Sequence, residues 1–197
     1  MIEKPIIFSG EMVRAILDGR KTMTRRLNKQ WLKVKAGDRL WVKETWRVGA
    51  WDEDTGRICV DYRADGLARH EWLECADNDL FDRLWIQSTD DARAAGLKID
   101  GDGKYHWKHG ESPCRWRSSR YMPRWASRIT LEATTDARLE KLQKITGMDV
   151  GREGFEWDAM ADEPFYRFAK YWDSLNPRVP WSSNPEVVVI EFKRILP

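Results

Sequence analysis

Apolar residues recur at helical spacing in several segments of the chain. The apolar positions of 12–17 predict a short helix that ends at Gly19, where a left-handed residue is favoured. A second helix is predicted over 164–174, with Pro164 in its first turn, and a helical turn over 147–154.

Runs of apolar or alternating residues, each bounded by turn-forming residues, predict the strands. They cover 5–8, 39–46, 58–62, 127–133 and 186–193. Several short strands around few helices are typical of an α+β fold, and strands at the two ends of the sequence can pair to close a small barrel.

The stretch 64–112 is charged and glycine-rich, and its periodicity is weak. We interpret it as a long insertion with one helix near 79–85 and a turn at 101–103. Because neither a linker nor a repeat divides the sequence, we expect 1–197 to form a single domain.

Composition limits the partners that this chain can attract. Its 34 lysines and arginines face 32 acids, a net charge of +2, so only clustered cations can bind a polyanion. No apolar run approaches the roughly 20 residues that span a bilayer, and no leader-like segment is visible. We therefore expect a cytoplasmic protein with no membrane partner and with Cys59, Cys75 and Cys114 as reduced thiols.

One basic cluster follows the first predicted helix, within the sequence Gly-Arg-Lys-Thr-Met-Thr-Arg-Arg at 19–26. Its cations are Arg20, Lys21, Arg25 and Arg26. Because like charges in one short window repel one another, the cluster favours a cationic binding site. The alternative is a solvated edge strand that uses charge against aggregation.

A second cluster interleaves aromatic and basic residues between 115 and 128. Binding of single-stranded nucleic acid needs both, since rings stack on bases and cations neutralise phosphates. The candidate binding residues are Trp46, Arg120, Tyr121, Arg124, Trp125 and Arg128. The alternative is a loop whose tryptophans fill the core while its arginines stay hydrated, and a core position is also the alternative for Trp46.

The basic window resembles the signature of the ASCH family, which is Gly, any residue, Lys, two residues, Glu, any residue, Arg. It matches at Gly19, Lys21 and Arg26, and it departs at Thr24, where the family most often has Glu.

Two further segments, 35–42 and 122–128, are similar to longer ASCH proteins common in phages and prophages. Together with the closing strand, the resemblance covers roughly the chain apart from 64–112.

The resemblance implies a small PUA-like β-barrel that binds RNA or a modified nucleoside in a cationic cleft, with no cofactor and no metal. The spacing of Lys21 and Thr24 is similar to that in compact bacterial ASCH proteins that hydrolyse N(4)-acetylcytidine. By this resemblance Thr24 is the nucleophile, Lys21 its activating base and Glu153 a supporting carboxylate. Asp149 is the rival of Glu153 for that place.

One geometric objection stands against this site. On a regular strand Lys21 and Thr24 face opposite sides, so they share a site only if the chain bends between them. A non-catalytic module for single-stranded RNA and a ribonuclease therefore stay open as alternatives to the amidohydrolase.

Overall fold

The structure is a computed structural model, and it describes residues 1–66, 71–75, 77–156 and 165–195. The chain divides into two compact units, which are described separately. The first unit comprises Met1–Ile6, Met12–Val42 and Ile129–Pro197. The second unit comprises Ile7–Glu11 and Lys43–Arg128.

The described strands form two sheets. In chain order they are β1 (Glu3–Ile7), β2 (Met23–Arg26), β3 (Arg39–Lys43), β4 (Trp46–Asp52), β5 (Arg57–Tyr62), β6 (Glu71–Glu74), β7 (Thr130–Ala133), β8 (Arg138–Lys141) and β9 (Glu186–Ile195). The first sheet has the order β1-β3-β7-β9-β2, with β8 also paired to β9, and this path curls into a half-barrel. The second sheet has the order β4-β5-β6.

Strand β9 joins the first sheet because it has partners along both edges. β2 pairs with it along one edge. β7 and β8 follow each other along the other edge, where Ala133 lies opposite Phe192 and Arg138 opposite Val189. Residues 134–137 therefore lie opposite only two residues of β9, and the chain bends there between the two strands.

The helices of the first unit bury apolar side chains. They are α1 (Gly10–Leu17), most of which belongs to this unit, α3 (Gly147–Arg152) and α4 (Tyr166–Leu175). Helix α4 buries Phe168 and Trp172, which lie one turn apart on the same face, in a cluster with Val187 and Val189 of β9. Gly19, with φ of 75°, follows α1 in the left-handed conformation predicted for it.

The second unit packs one long helix, α2 (Asn78–Ala94), against the three-stranded sheet. The helix begins at Asp77, whose side chain accepts a hydrogen bond from the Leu80 backbone N–H at 3.0 Å. It buries Phe81 and Leu84 in a core that includes Trp46.

The prediction of a mixed fold with a small curved sheet and few helices is confirmed. The strand predicted over 39–46 corresponds to β3 and to the first residue of β4, because the chain passes from one sheet to the other at residues 44–45. Sequence patterns missed the rest of β4, and they considered β2 only as the alternative to a binding site. They also missed β6 and β8, which are only four residues long and rich in charge. No helix in the described part of the chain combines the length and the apolar character needed to cross a membrane.

The single domain over 1–197 and the insertion over 64–112 stay predictions. Of that insertion, residues 67–70 and 76 lie outside the described residues, as does Pro164 of the second predicted helix. The helix predicted near 79–85 is part of α2, which is longer.

Replacing Leu131 by Ala should lower the free energy of unfolding by about 2–5 kcal/mol, because its side chain is fully buried in β7 opposite Leu40. Urea denaturation followed by circular dichroism measures the change. Leu175→Ala is the matched control, since Leu175 is 58% exposed at the end of α4, and its cost should stay near 0.5 kcal/mol. Equal losses in the two variants would contradict the described core.

Candidate functional site

The cations predicted to form a binding surface at 19–26 are mostly buried. β2 lies at one end of the first sheet's strand order, as an edge strand does, but Lys21 and Arg25 are buried rather than solvated. Arg20 is the exposed member, and it binds Asp18 at 3.0 Å and the Gly154 carbonyl at 2.9 Å. The solvated-edge interpretation therefore does not describe this strand.

Lys21 makes a buried ion pair with Glu153, the carboxylate that the family resemblance selected. Its Nζ donates to Glu153 Oε2 at 2.7 Å, to the Glu153 carbonyl at 2.8 Å and to the Met23 carbonyl at 2.8 Å. An ammonium has three protons to donate, so these acceptors account for all of them.

Arg25 extends this pair into a buried ion cluster, which we define as Lys21, Arg25, Glu140, Asp149 and Glu153. Arg25 Nη1 lies 3.2 Å from Glu153 Oε1, and its Nη2 lies 3.0 Å from Glu140 and 3.1 Å from Asp149. Both rivals for the supporting carboxylate thus belong to one network. Each buried charge is paired, as burial requires.

Local sequence after β8 places Glu153 against Lys21. The Thr146 hydroxyl accepts from the Asp149 backbone N–H at 3.2 Å, and the Asp149 carboxylate accepts from the Thr146 N–H at 3.2 Å, which starts α3 with a capping box. Gly154 follows with φ of 95°, and a Cβ there would lie 2.8 Å from Ala15 Cβ. Only glycine fits this close approach, so Gly154 lets Glu153 reach the end of α1.

Thr24 is buried in the middle of β2, opposite Ile190. Strand alternation directs its side chain to the face opposite that of Met23 and Arg25. The structure therefore brings Lys21 and Glu153 together, while the strand geometry sets Thr24 apart from Arg25 and the carboxylates that Arg25 contacts.

Burial changes the acid–base properties of the ion cluster. Desolvation lowers the pKa of Lys21 below its ordinary value, although the Glu153 carboxylate opposes that effect. Desolvation acts to raise the pKa of Asp149, but the Thr146 backbone N–H and the Arg25 guanidinium outweigh it and hold that pKa low. A lysine with a lowered pKa suits proton transfer, but here its protons are already held by three acceptors.

The second unit holds a pocket of about 400 Å³, lined by arginine and aromatic side chains. We call it the arginine–aromatic pocket; its lining is Trp46, Leu80, Arg83, Leu84, Gln87, Arg115, Trp116, Arg117, Ser118, Tyr121 and Pro123. One face of α2 supplies residues 80, 83, 84 and 87, which follow helical spacing. The lining residues within the described part of the chain include no carboxylate.

Arg117 lines this pocket, and two backbone hydrogen bonds to β4 hold it there. The Arg117 N–H donates to the Trp46 carbonyl at 2.7 Å, and the Trp46 N–H donates to the Arg117 carbonyl at 3.3 Å. The guanidinium lies 5.7 Å from the Trp46 ring and donates from Nη1 to Gln87 Oε1 at 2.7 Å. Desolvation, with the nearby Arg115 charge, lowers the pKa of Arg117.

Trp116 is held in place by a buried arginine. Arg47 donates to Asp61 at 2.9 Å and to the carbonyls of Ser112 and Gly110 at 2.7 and 2.6 Å. Its guanidinium carbon lies 4.6 Å from the centre of the Trp116 ring. A cation fixed by three acceptors therefore orients an aromatic ring that is 37% exposed.

The predicted binding residues of the second cluster divide into exposed and buried members. Tyr121 is 75% exposed at the pocket, and Arg120 and Arg124 are also exposed. Trp46 is buried, and Trp125 packs against it edge to face at 6.1 Å. These two tryptophans occupy the core positions considered as their alternative.

The Arg128 side chain is paired with two carboxylates and is not free in solvent. Its guanidinium donates to Glu44 at 2.9 and 3.0 Å and to Asp65 at 2.7 Å, over the ring of Tyr62. In the first unit, Arg26 is half-buried, and desolvation lowers its pKa.

Sequence reasoning missed Arg83 and Gln87, which line the pocket from α2. The helical spacing of 80, 83, 84 and 87 was the pattern that could have located them, with apolar and polar positions on one face. No group of three or more histidine, cysteine or acidic residues among the described residues is arranged to hold a metal ion.

Comparison with protein-family models, with curated proteins and with solved structures finds no match to this chain.

Replacing Asp149 by Asn should make the stability of the fold less sensitive to acid. A carboxylate whose folded pKa is lowered stabilises the fold above its unfolded pKa, near 4, and that stability is lost as pH falls through the folded value. We expect the wild type to lose on the order of 1 kcal/mol more than the variant between about pH 5 and pH 2.

Urea denaturation at a series of pH values measures this difference. Asp54→Asn, at an exposed turn of the second unit, is the matched control and should keep the wild-type slope. The same slope in Asp149→Asn and the wild type would contradict the role of Asp149 in the ion cluster.

Proposed function

We propose that this chain is an ASCH-type protein of the PUA-like kind that binds single-stranded RNA or a modified nucleoside in the arginine–aromatic pocket. The observation that carries the proposal is the lining itself. Two exposed aromatic rings, Trp116 and Tyr121, stand beside three arginines, and none of the described lining residues is a carboxylate.

Stacking supplies the first part of the binding energy. An aromatic side chain stacked on a base contributes about 1–3 kcal/mol and tolerates any base. Trp116 is suited to this role because Arg47 holds its ring from the protein side. A pocket of about 400 Å³ also lies within the usual size range for small-molecule sites.

Positive charge supplies the second part of the binding energy. Arg83 is exposed, and its Nε donates to the backbone carbonyl of Asp79 at 3.1 Å. That acceptor is uncharged, so this contact does not neutralise the guanidinium. Arg115 is paired with Asp91 at 3.2 Å, although its side chain is largely exposed. Cations at the rim of an aromatic pocket are where the phosphates of a stacked strand would lie.

A second candidate function is hydrolysis of an N(4)-acylcytidine amide at Lys21 and Glu153. One observation favours it: burial lowers the pKa of Lys21 beside a buried carboxylate, an arrangement common at functional sites. The occupied acceptors of Lys21 and the orientation of Thr24 count against it, so we place it second.

Replacing Tyr121 by Ala should weaken binding of an eight-nucleotide uridine strand about tenfold, because one stacking surface is lost. Fluorescence anisotropy of a labelled strand measures the dissociation constant. Tyr166→Ala is the matched control, since Tyr166 is also exposed, at 53%, but lies on α4 in the first unit.

Salt dependence tests the arginines in the same assay. With three pocket arginines, the logarithm of the binding constant should fall against the logarithm of salt concentration with a slope of at most about 2. No binding by the wild type, or equal losses in Tyr121→Ala and Tyr166→Ala, would contradict the proposal.

Replacing Lys21 by Met should abolish any turnover of N(4)-acetylcytidine, followed by absorbance, because the hydrolase hypothesis assigns proton transfer to that amine. Lys29→Met is the matched control, since Lys29 is exposed and bound only loosely to Glu186 at 3.3 Å. If Lys21→Met retains turnover and has the circular dichroism spectrum of the wild type, Lys21 is not a catalytic residue. If the wild type shows no turnover, the hydrolase hypothesis is wrong.

A further inference from the structure

We propose that the arginine–aromatic pocket selects bases with a carbonyl oxygen at pyrimidine C4 or purine C6, such as uracil, guanine and hypoxanthine, over bases with an amino group at that position, such as cytosine and adenine. This inference rests on the proposed function, because it concerns which base enters the same pocket. It follows from the hydrogen-bonding groups that the polar side of the pocket presents.

The first step is the orientation of the Gln87 amide. Arg117 can only donate, and its Nη1 donates to Gln87 Oε1 at 2.7 Å, so the oxygen of the amide must face the guanidinium. The amide Nε2 then points away from Arg117 with two protons to donate. Among the described residues, no hydrogen bond from that nitrogen to the protein is found.

The second step is the state of Arg117. Its Nε and Nη2 are buried and have no hydrogen-bond partner in the described part of the chain. A buried donor without a partner is unfavourable by about 1–3 kcal/mol, so the guanidinium gains by turning towards an acceptor. Because Arg117 lines the pocket, a carbonyl oxygen brought in by a ligand is the acceptor at hand.

The third step is Ser118, which follows Arg117 in the lining. Its hydroxyl oxygen accepts from the Arg120 backbone N–H at 3.3 Å, so its proton is directed elsewhere. Gln87, Arg117 and Ser118 therefore present donors from three adjacent side chains. The described lining residues include no carboxylate, so an exocyclic amino group placed against the N–H groups of Gln87 and Arg117 would meet donors rather than acceptors.

This arrangement discriminates by the exocyclic group at pyrimidine C4 or purine C6. Uracil and hypoxanthine carry a carbonyl oxygen where cytosine and adenine carry an amino group, while the stacking surface within each pair is the same. The aromatic rings of Trp116 and Tyr121 bind both members of a pair equally, and the donors distinguish them. A well-placed donor pair separates right from wrong bases by about tenfold or more.

The experiment measures binding of UMP against CMP, and of IMP against AMP, to the full chain by isothermal titration calorimetry. Within each pair the phosphate, the ribose and ring stacking contribute equally to the affinity, so the difference in affinity reports the base substituents. We expect UMP and IMP to bind about tenfold tighter than their partners. Equal affinities within both pairs, or a preference for CMP and AMP, would overturn the inference.

Gln87→Glu tests the assignment, because it replaces the two amide protons with a carboxylate that can still accept from Arg117. The preference for UMP and IMP should disappear in this variant, while Gln30→Glu, at an exposed position in the first unit, should keep it. A preference that persists in Gln87→Glu would overturn the role of the donor set.

The eight-nucleotide uridine strand and a matched cytidine strand, measured beside the mononucleotides, separate the two proposals. Binding of both strands with equal affinity overturns base selection and leaves the proposed function intact. Absence of binding to every strand and mononucleotide overturns both.

Discussion

The first unit depends on the pairing of β9 along both of its edges. Backbone hydrogen bonds on one edge hold β2, from the first quarter of the chain, and those on the other hold β7 and β8 in succession. The four apolar residues at 187–190 are buried, which fits a strand covered on both faces. Two members of the ion cluster, Arg25 on β2 and Glu140 on β8, are positioned by these two edges of β9.

The ion cluster shows why charge patterns in a sequence are ambiguous. Lys21 and Arg25 look like a solvated or ligand-binding surface when only their neighbours in the sequence are considered. Their partners Glu140, Asp149 and Glu153 lie more than a hundred residues away, and burial is tolerable only because those carboxylates meet them. No pattern of neighbouring residues in the sequence predicts these long-range ion pairs, although the family resemblance did single out Glu153.

The sequence predicted best where a pattern is local. The spacing of α1, the left-handed Gly19 and the apolar run of β9 were all visible, because each depends on residues within a few positions. Residues 39–46 were predicted as one strand, since alternation cannot show that the chain changes sheets at 44–45. The pocket likewise joins α2 to the segment around Arg117, and periodicity within either segment carries no information about the other.

Burial also separates the two candidate sites in energetic terms. A charge in the ion cluster is already compensated, so a substrate that reached Lys21 would have to replace the Glu153 and backbone contacts before any proton moved. In the arginine–aromatic pocket the opposite holds, because two nitrogens of Arg117 find no hydrogen-bond partner among the described residues. A ligand that brings a carbonyl oxygen to Arg117 removes the free-energy cost of unpaired buried donors. A ligand at Lys21 would first have to break existing hydrogen bonds, which costs free energy. This difference, rather than the number of cations in either cluster, is why we place binding in the second unit.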